Sequence, residues 1–172
     1  MFREGLRPPD PFGERAPVES LTTQDGMTIA SLSRLGTVCV LCLPALGLRR
    51  TRALLDHVAS RRLDLEGGGL RLVLVHMAGD ARAHEEFEPF DLHYVARISD
   101  PERALYEHFG LARATWMESV GLNAWKAAWA GRKHGAGDVA GEPDRLHGVF
   151  HVAEGAVVDE WRASAPGDLP EL

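Results

Sequence analysis

The sequence predicts a single α/β domain in which a central mixed β-sheet is flanked by helices. Continuous apolar, β-branched runs at 37–43 and 70–76 are typical of strands buried inside a sheet. Between them, residues 48–62 carry apolar side chains at helical spacing, which predicts a helix joining two parallel strands. The chain closes with two further strand-like runs joined by Glu154-Gly155, which predicts an antiparallel hairpin. Parallel and antiparallel pairs together make the sheet mixed.

Composition limits the classes of function. With 172 residues and 45% hydrophobic content, the chain can build one substantial core but not two ordinary ones. Its 19 basic and 25 acidic residues give a net charge of -6, which lacks the positive field that nucleic-acid binding needs. No secretory leader and no apolar run of about 18 residues is present, so we expect no membrane association and a cytoplasmic location. Two cysteines are too few for a disulfide framework, which agrees with a reducing compartment.

The beginning of the chain differs in character from the rest. Residues 1–16 are rich in proline and charge and are predicted to form an irregular arm, followed by one domain over 17–172. A β segment is predicted at 18–21. The Asp25-Gly26 pair then predicts a hairpin turn that joins this segment to a second one at 27–30.

The middle of the chain alternates helices and strands. The glycines at 67–69 end the first helix, and we interpret them as a connector because a phosphate loop would follow a strand rather than precede one. Asp100 and Pro101 predict the N-cap and first position of a helix. The predicted elements are a helix at 80–87, a strand at 94–98, a helix at 100–106, a helix at 117–132 with Trp125 and Trp129 on one face, and a connection at 131–141.

The two cysteines, Cys39 and Cys42, form a Cys-x-x-Cys string inside the predicted strand at 37–43. Strand residues three apart point to opposite faces, and their Cα atoms lie about 10 Å apart. A disulfide needs Cα atoms within about 7 Å. We therefore interpret both as buried structural thiols, with Cys42 the more open to a second role because it lies nearer the strand end where α/β sheets bind ligands.

Several short pieces of the sequence, in their order along the chain, resemble peroxiredoxins. The later ones are similar to the selenoprotein-L-related group of the alkyl hydroperoxide reductase and thiol-specific antioxidant superfamily. The pieces are Gly13 to Pro17, Asp25-Gly26, Leu32 to Gly36, Ser99 to Tyr106, Phe109-Gly110-Leu111, Gly137-Asp138, Gly148-Val149-Phe150 and Asp168-Leu169-Pro170. The resemblance implies a thioredoxin-like fold with a peroxiredoxin-type N-terminal extension. It also implies thiol-dependent chemistry on peroxide or thiol substrates and a homodimer; no cofactor is predicted.

The resemblance directs attention to the turn between the strand at 37–43 and the helix at 48–62. In that superfamily this turn carries Cys-x-x-Cys or Pro-x-x-x-Thr-x-x-Cys, with the reactive thiol in the first helical turn. Here Pro44 begins the second pattern correctly, but Leu48 replaces its threonine and Thr51 its cysteine; Leu48 and Thr51 also take both cysteine positions of the first pattern. A threonine hydroxyl is a poor nucleophile without an adjacent base. Standard peroxidatic chemistry is therefore predicted to be lost, leaving Cys42 and Thr51 as the remaining catalytic candidates.

The same turn concentrates positive charge at a helix N-terminus. Arg49, Arg50 and Arg52 are unfavourable there unless an anion or a carboxylate compensates them. One interpretation is a small-anion site that uses the guanidinium groups and the Thr51 hydroxyl. The other is solvated arginines paired with surface acids. By resemblance, Arg145 and His147 face the same pocket, although His147 is equally compatible with an ordinary strand-edge residue. The candidate pocket comprises Pro44, Leu48, Arg49, Arg50, Thr51, Arg52, Arg145 and His147.

Metal binding is not predicted, because His147 and His151 share a strand face but lie about 13 Å apart. Two hypotheses remain for function. The first is a peroxiredoxin-like oxidoreductase that uses a relocated thiol, for which Cys42 is the candidate. The second is a redox-inactive thioredoxin-like module that binds a small anion or a protein partner at Arg49–Arg52.

Overall fold

The computed structural model of the protein describes residues 16–115 and 137–172. Residues 1–15 of the expected arm lie outside these ranges. So do the helix expected at 117–132, with Trp125 and Trp129, and the first part of the connection expected at 131–141.

The described residues build a five-stranded mixed sheet with helices on its faces, as predicted. The strand order across the sheet is β3-β2-β1-β4-β5. The first three strands are parallel, and the C-terminal hairpin adds β4 antiparallel to β1 and β5 antiparallel to β4. The strands are β1 (Val38–Cys42), β2 (Arg71–His76), β3 (Ala96–Ser99), β4 (Gly148–Ala153) and β5 (Ala156–Arg162).

The helices are α1 (Pro17–Ser20), α2 (Ile29–Ser33), α3 (Arg49–Gly67), α4 (Asp80–Phe87) and α5 (Ala104–His108), and a 3-10 turn, Glu88–Phe90, follows α4. The longest, α3, continues past the predicted end at 62 and stops at the glycine run, where the Gly68 amide donates to the carbonyl oxygens of Asp64 and Glu66. None of the helices in the described ranges is long and apolar enough to cross a membrane.

The prediction for residues 18–30 is wrong in its strands and right in its turn. Residues 18–21 belong largely to α1, because Pro17 supplies the backbone angle of a first helical turn. The Asp25-Gly26 turn is present, with Gly26 at φ 80, but a single Thr22–Thr28 bridge closes it instead of a hairpin. Thr28 then caps α2 in a reciprocal capping box with Ser31, which ends any strand there.

The helix predicted at 100–106 begins later, at Ala104. Arg103 precedes it with φ 65, in the left-handed region, and this breaks the helical path from Asp100. The Asp100 carboxylate nevertheless accepts the amides of Ala104 at 2.9 Å and Leu105 at 2.8 Å. Asp100 therefore caps the helix from the preceding loop rather than from the N-cap position.

Apolar side chains cover both faces of the sheet. Successive β1 residues alternate between the two layers: Val38, Val40 and Cys42 pack on one face, and Cys39 and Leu41 on the other. The helix α3 closes the second layer with Leu54, Leu55 and Val58. The first layer is closed by α1, α2 and α5. This packing fixes the start of α3 against the carboxyl end of β1.

Candidate functional site

The turn, residues 44–52, lies at the edge of the sheet where the parallel strands β1, β2 and β3 end. Leu43 continues the pairing beyond β1 by donating its amide to the Val75 carbonyl at 2.8 Å. The backbone then leaves the sheet through buried residues 44–47 and enters α3 with Leu48 as the N-cap. Open α/β sheets bind ligands at this edge, so the fold places the turn where a functional site is expected.

Thr51, which the sequence resemblance places at the position of the reactive thiol, is engaged inside the protein. It lies in the first turn of α3 with no exposed surface. Its hydroxyl donates to the Ala45 carbonyl oxygen at 2.6 Å. The side chain thus ties the helix start to the turn, and its proton is committed to a backbone acceptor.

The positive charge of Arg52 is compensated by a carboxylate from α4. Arg52 Nε lies 2.6 Å from Oε1 of Glu86, whose side chain is only 1% exposed, and Arg82 Nη2 lies 3.2 Å from Oε2 of the same carboxylate. Burial alone would raise the pKa of Glu86. The hydrogen bond from Arg52, the two guanidinium charges and the Gly47 amide outweigh it and hold that pKa below its usual value.

Glu86 was not among the residues singled out from the sequence. The spacing of Arg82 and Glu86 on the predicted helix indicates an i,i+4 pair, but nothing local indicates Arg52 as the second partner. The structure therefore contains the compensating carboxylate that the arginine cluster requires.

The other two arginines of the turn have different surroundings. Arg49 is exposed. Arg50 donates through Nη2 to the carbonyl oxygen of Pro143. Burial lowers the pKa of Arg50, and the nearby charge of Asp144 partly opposes that effect. The three guanidinium groups therefore do not converge on one point, because Arg52 is paired with Glu86 of α4 and Arg50 with a different segment.

That segment, residues 137–143, crosses the turn and is called the strap here. The amide of Leu46 donates to the Ala140 carbonyl at 2.9 Å, and the Ala140 amide donates back to Leu46 at 3.0 Å. The Gly137 amide donates to the Gly47 carbonyl at 2.9 Å. Gly47 has φ 86, and a Cβ there would lie 2.2 Å from the Asp138 carbonyl oxygen. The strap therefore covers the turn at backbone distance.

Arg145 and His147 follow the strap. Arg145 is 10% exposed, pairs with Glu142 at 2.7 Å and donates to the Leu111 carbonyl at 2.9 Å. His147 is 2% exposed, and its Nε2 lies 2.7 Å from the carbonyl oxygen of Asp168. Burial lowers the pKa of His147 to about 4, with the contacts to Asp168 opposing this and the Arg50 charge adding to it. Arg50 and His147 are thus within electrostatic reach, whereas Arg145 is directed to Glu142 and Leu111.

Both cysteines are buried in β1 with no exposed surface, and they belong to opposite layers, as predicted. Burial raises the pKa of Cys39 to about 12. Burial also raises the pKa of Cys42 well above its ordinary value, and the Asp100 charge adds to the effect. Because the thiolate is the reactive form, both thiols are held in their unreactive form at neutral pH.

Metal ligation has no cluster to support it within residues 16–115 and 137–172, where no group of three or more His, Cys, Asp or Glu side chains is arranged to hold an ion.

Solved structures similar to this protein share its fold but only a low sequence identity. No family model and no curated protein matches this chain. It is similar to the bacterioferritin comigratory protein of Xanthomonas campestris, studied for its alkyl peroxide reduction activity, at a TM-score of 0.58 and 14% identity over 86% of this chain and 82% of that chain. A peroxiredoxin Q of Xylella fastidiosa matches at 0.59 and 11% identity, over 90% and 86% of the two chains. The peroxiredoxin 6 of Arenicola marina matches at 0.57 and 13%, over 86% of this chain and 61% of its own.

Identities this low establish the fold alone. The chain therefore has the thioredoxin-like fold in the form found in peroxiredoxins, and the expectation drawn from its short motifs is confirmed at that level.

Proposed function

We propose that this protein is a peroxiredoxin-fold module that does not reduce peroxides at the turn and acts by binding a protein partner there. One observation carries the proposal. Thr51, the residue that the resemblance aligns with the peroxidatic thiol, is fully buried and donates its hydroxyl to the Ala45 carbonyl oxygen. A nucleophile at this position would need an open approach and an activating base, and the contacts of Thr51 provide neither.

The relocated-thiol hypothesis receives less support. Cys42 lies inside the sheet without exposed surface, and its raised pKa disfavours the thiolate. Tyr106 packs in the same buried layer as Cys42, and its hydroxyl lies 2.7 Å from the Leu43 carbonyl oxygen and 3.1 Å from that of Val75. Peroxide would have to enter a packed layer to reach this sulfur.

A protein partner also suits the turn better than a small anion. Most of the groups that would bind an anion are already engaged, since Arg52 pairs with Glu86, Arg50 with the Pro143 carbonyl and Thr51 with the Ala45 carbonyl, and only Arg49 of the cluster is exposed. An incoming anion would have to replace a buried carboxylate that two guanidinium groups share. A partner that contacts backbone groups of the turn leaves the pair of Arg52 and Glu86 intact and has to replace only the backbone hydrogen bonds made by the strap.

The experiment is peroxide consumption under a thiol reductant, with native thiol counting on the same preparation. We expect no consumption above the buffer rate. The two thiols should be unreactive in the native protein and both titratable after denaturation.

The Cys42→Ser variant is the control that separates the two hypotheses. Consumption by the wild type that disappears in this variant would establish relocated thiol catalysis and overturn the proposal. A Cys39→Ser variant serves as the matched control, because Cys39 is equally buried but lies in the other layer.

Two further expectations belong to the proposal. We expect the protein to act in the cytoplasm, because two reduced, buried cysteines agree with a reducing compartment. We also expect a homodimer, by analogy with the fold, and light scattering at micromolar concentration measures this directly.

A further inference from the structure

The strap is held on the turn through its main chain. Leu46 exchanges two backbone hydrogen bonds with Ala140, at 2.9 and 3.0 Å, and Gly47 accepts the amide of Gly137 at 2.9 Å. Two guanidinium groups complete the set: Arg82 donates to the Asp138 carbonyl at 3.0 Å, and Arg50 donates to the Pro143 carbonyl. All five of these hydrogen bonds involve backbone atoms of the strap, so none of them depends on the identity of a strap side chain.

Steric demands come from two strap glycines. A Cβ on Gly137 would lie 2.9 Å from the Arg52 guanidinium, and one on Gly141, at φ 112, would lie 2.9 Å from the Met77 Cβ and 3.4 Å from the Ala45 Cα. Between them, Asp138 and Val139 are exposed. The turn therefore accepts an extended segment that has small residues at the positions of Gly137 and Gly141. Larger side chains fit at the two exposed positions, 138 and 139.

The strap itself buries little. Its residues are exposed or half-buried, and its pairing with the turn is a single isolated bridge, not a strand of the sheet. Glu142 anchors it by ion pairs away from the turn, with Arg103 at 3.2 Å and Arg145 at 2.7 Å, and Ala140 packs against the second layer of the core. Segments with few buried apolar contacts and exposed hydrogen bonds open at low free-energy cost.

We infer that the turn is a receptor for the backbone of an extended peptide, and that the strap occupies this receptor in cis. A partner segment with glycine where the strap has Gly137 and Gly141 competes for the same five contacts, in the manner of strand addition to a sheet edge. On the turn itself, the strap holds its place through high effective concentration rather than through specific side chains. This inference rests on the proposed function and names the chemistry of its partner.

The test uses a fluorescent peptide of residues 137–143 and measures its binding by anisotropy. In the Gly141→Val variant, the new side chain collides with Met77 and Ala45 and expels the strap while leaving every receptor group unchanged. We expect this variant to bind the peptide at least tenfold more tightly than the wild type. Hydrogen exchange at the Leu46 amide should be faster in the variant, with β1 protection retained.

Three variants complete the design. Gly26→Val is the matched control, because Gly26 has φ 80 and open space around its Cβ position; it should bind peptide like the wild type. Ala140→Pro removes one bridge donor without adding bulk to the core and should also strengthen peptide binding. Gly47→Ala in the Gly141→Val background should abolish binding, since its Cβ would collide with the peptide carbonyl that replaces Asp138.

Two results would overturn the inference. One is unchanged exchange at Leu46 in both strap variants, which would mean that the strap is not displaced. The other is faster exchange without any gain in peptide binding, which would mean that the exposed turn is not a receptor. Neither result bears on the peroxide assay, so failure of this inference and failure of the proposed loss of peroxide reduction are distinguishable.

Discussion

The two ends of the parallel strands differ in whether another segment of the described chain covers them. At the carboxyl end, the turn is covered by the strap, and Glu86 forms ion pairs with Arg52 at 2.6 Å and Arg82 at 3.2 Å. At the amino end of β2 and β3, an open groove of about 400 Å³ remains, with Leu70 and Leu72 on its walls and Glu66 and Arg71 among its lining residues. Among residues 16–115 and 137–172, the strap covers the edge of the sheet where open α/β sheets bind ligands, and no described segment covers the opposite edge. Coverage of the turn therefore depends on specific hydrogen bonds to the strap and is not shared by the other edge of the sheet.

The largest expected contrast concerns the two glutamates at these ends. Glu86→Ala should lower the free energy of unfolding by about 3 kcal/mol, at the low end for a broken buried ion pair because Arg52 and Arg82 are partly exposed. Glu66 is half exposed and lies 4.0 Å from Arg62, so Glu66→Ala should change the free energy of unfolding by less than about 0.5 kcal/mol. Urea denaturation measures both. Equal losses would remove the distinction between the covered and the open end.

A second contrast uses two glycines with nearly the same φ angle. Gly47 has φ 86 and would place a Cβ against the strap, whereas Gly69 has φ 84 and open space. Alanine at Gly69 should cost about 1 kcal/mol of backbone strain. Alanine at Gly47 should cost about 2–3 kcal/mol, because release of the strap adds to the same strain. If thermal denaturation gives the same loss for both, the strap contributes nothing to stability.

A third prediction concerns pH. The pKa of His147 is lowered to about 4 in the folded state, below the value near 6.5 of an unfolded histidine. The unfolded state therefore binds more protons in this window, and the stabilising contribution is complete above pH 6.5 and lost as pH falls toward 4. Between pH 7 and 5 the loss attributable to His147 should be about 2 kcal/mol.

The measurement is urea denaturation at both pH values for the wild type and His147→Gln. The difference between the two proteins should shrink with falling pH by that amount. His76, buried at the end of β2 with its pKa also lowered to about 4 by burial, should behave alike and serves as the matched comparison. A difference that does not change with pH would show that folding leaves the pKa of His147 unchanged.

The smallest expected effect is at the hydroxyl of Thr51. Thr51→Val should cost about 1 kcal/mol, because the Ala45 carbonyl loses a buried donor. Thr37→Val, at the open end beside β1, should be within about 0.5 kcal/mol of the wild type. A neutral Thr51→Val would indicate that the hydroxyl does not tie α3 to the turn.

The parts of the fold that local sequence controls were predictable. The apolar runs of β1 and β2 and the Glu154-Gly155 turn of the hairpin each act through neighbouring residues, and each appears in the structure at or near its predicted place. The prediction of strands within 18–30 is wrong because Pro17 and Thr28 start helices that compete with the strand signals. Where two local signals conflict, tertiary packing decides between them.

For the candidate site, the sequence by itself determined that three arginines crowd a helix start and that the two cysteines lie in a buried strand. Its resemblance to peroxiredoxins gave the expectation that Thr51 stands in place of a reactive thiol. Only the tertiary structure decided that Glu86 balances Arg52, that Thr51 donates to Ala45, and that the strap covers the turn. The physical reason is distance along the chain. Propensity and periodicity act over a few residues, whereas the contacts of Arg52 with Glu86 and of Leu46 with Ala140 join segments 34 and 94 residues apart that meet only when the sheet has formed.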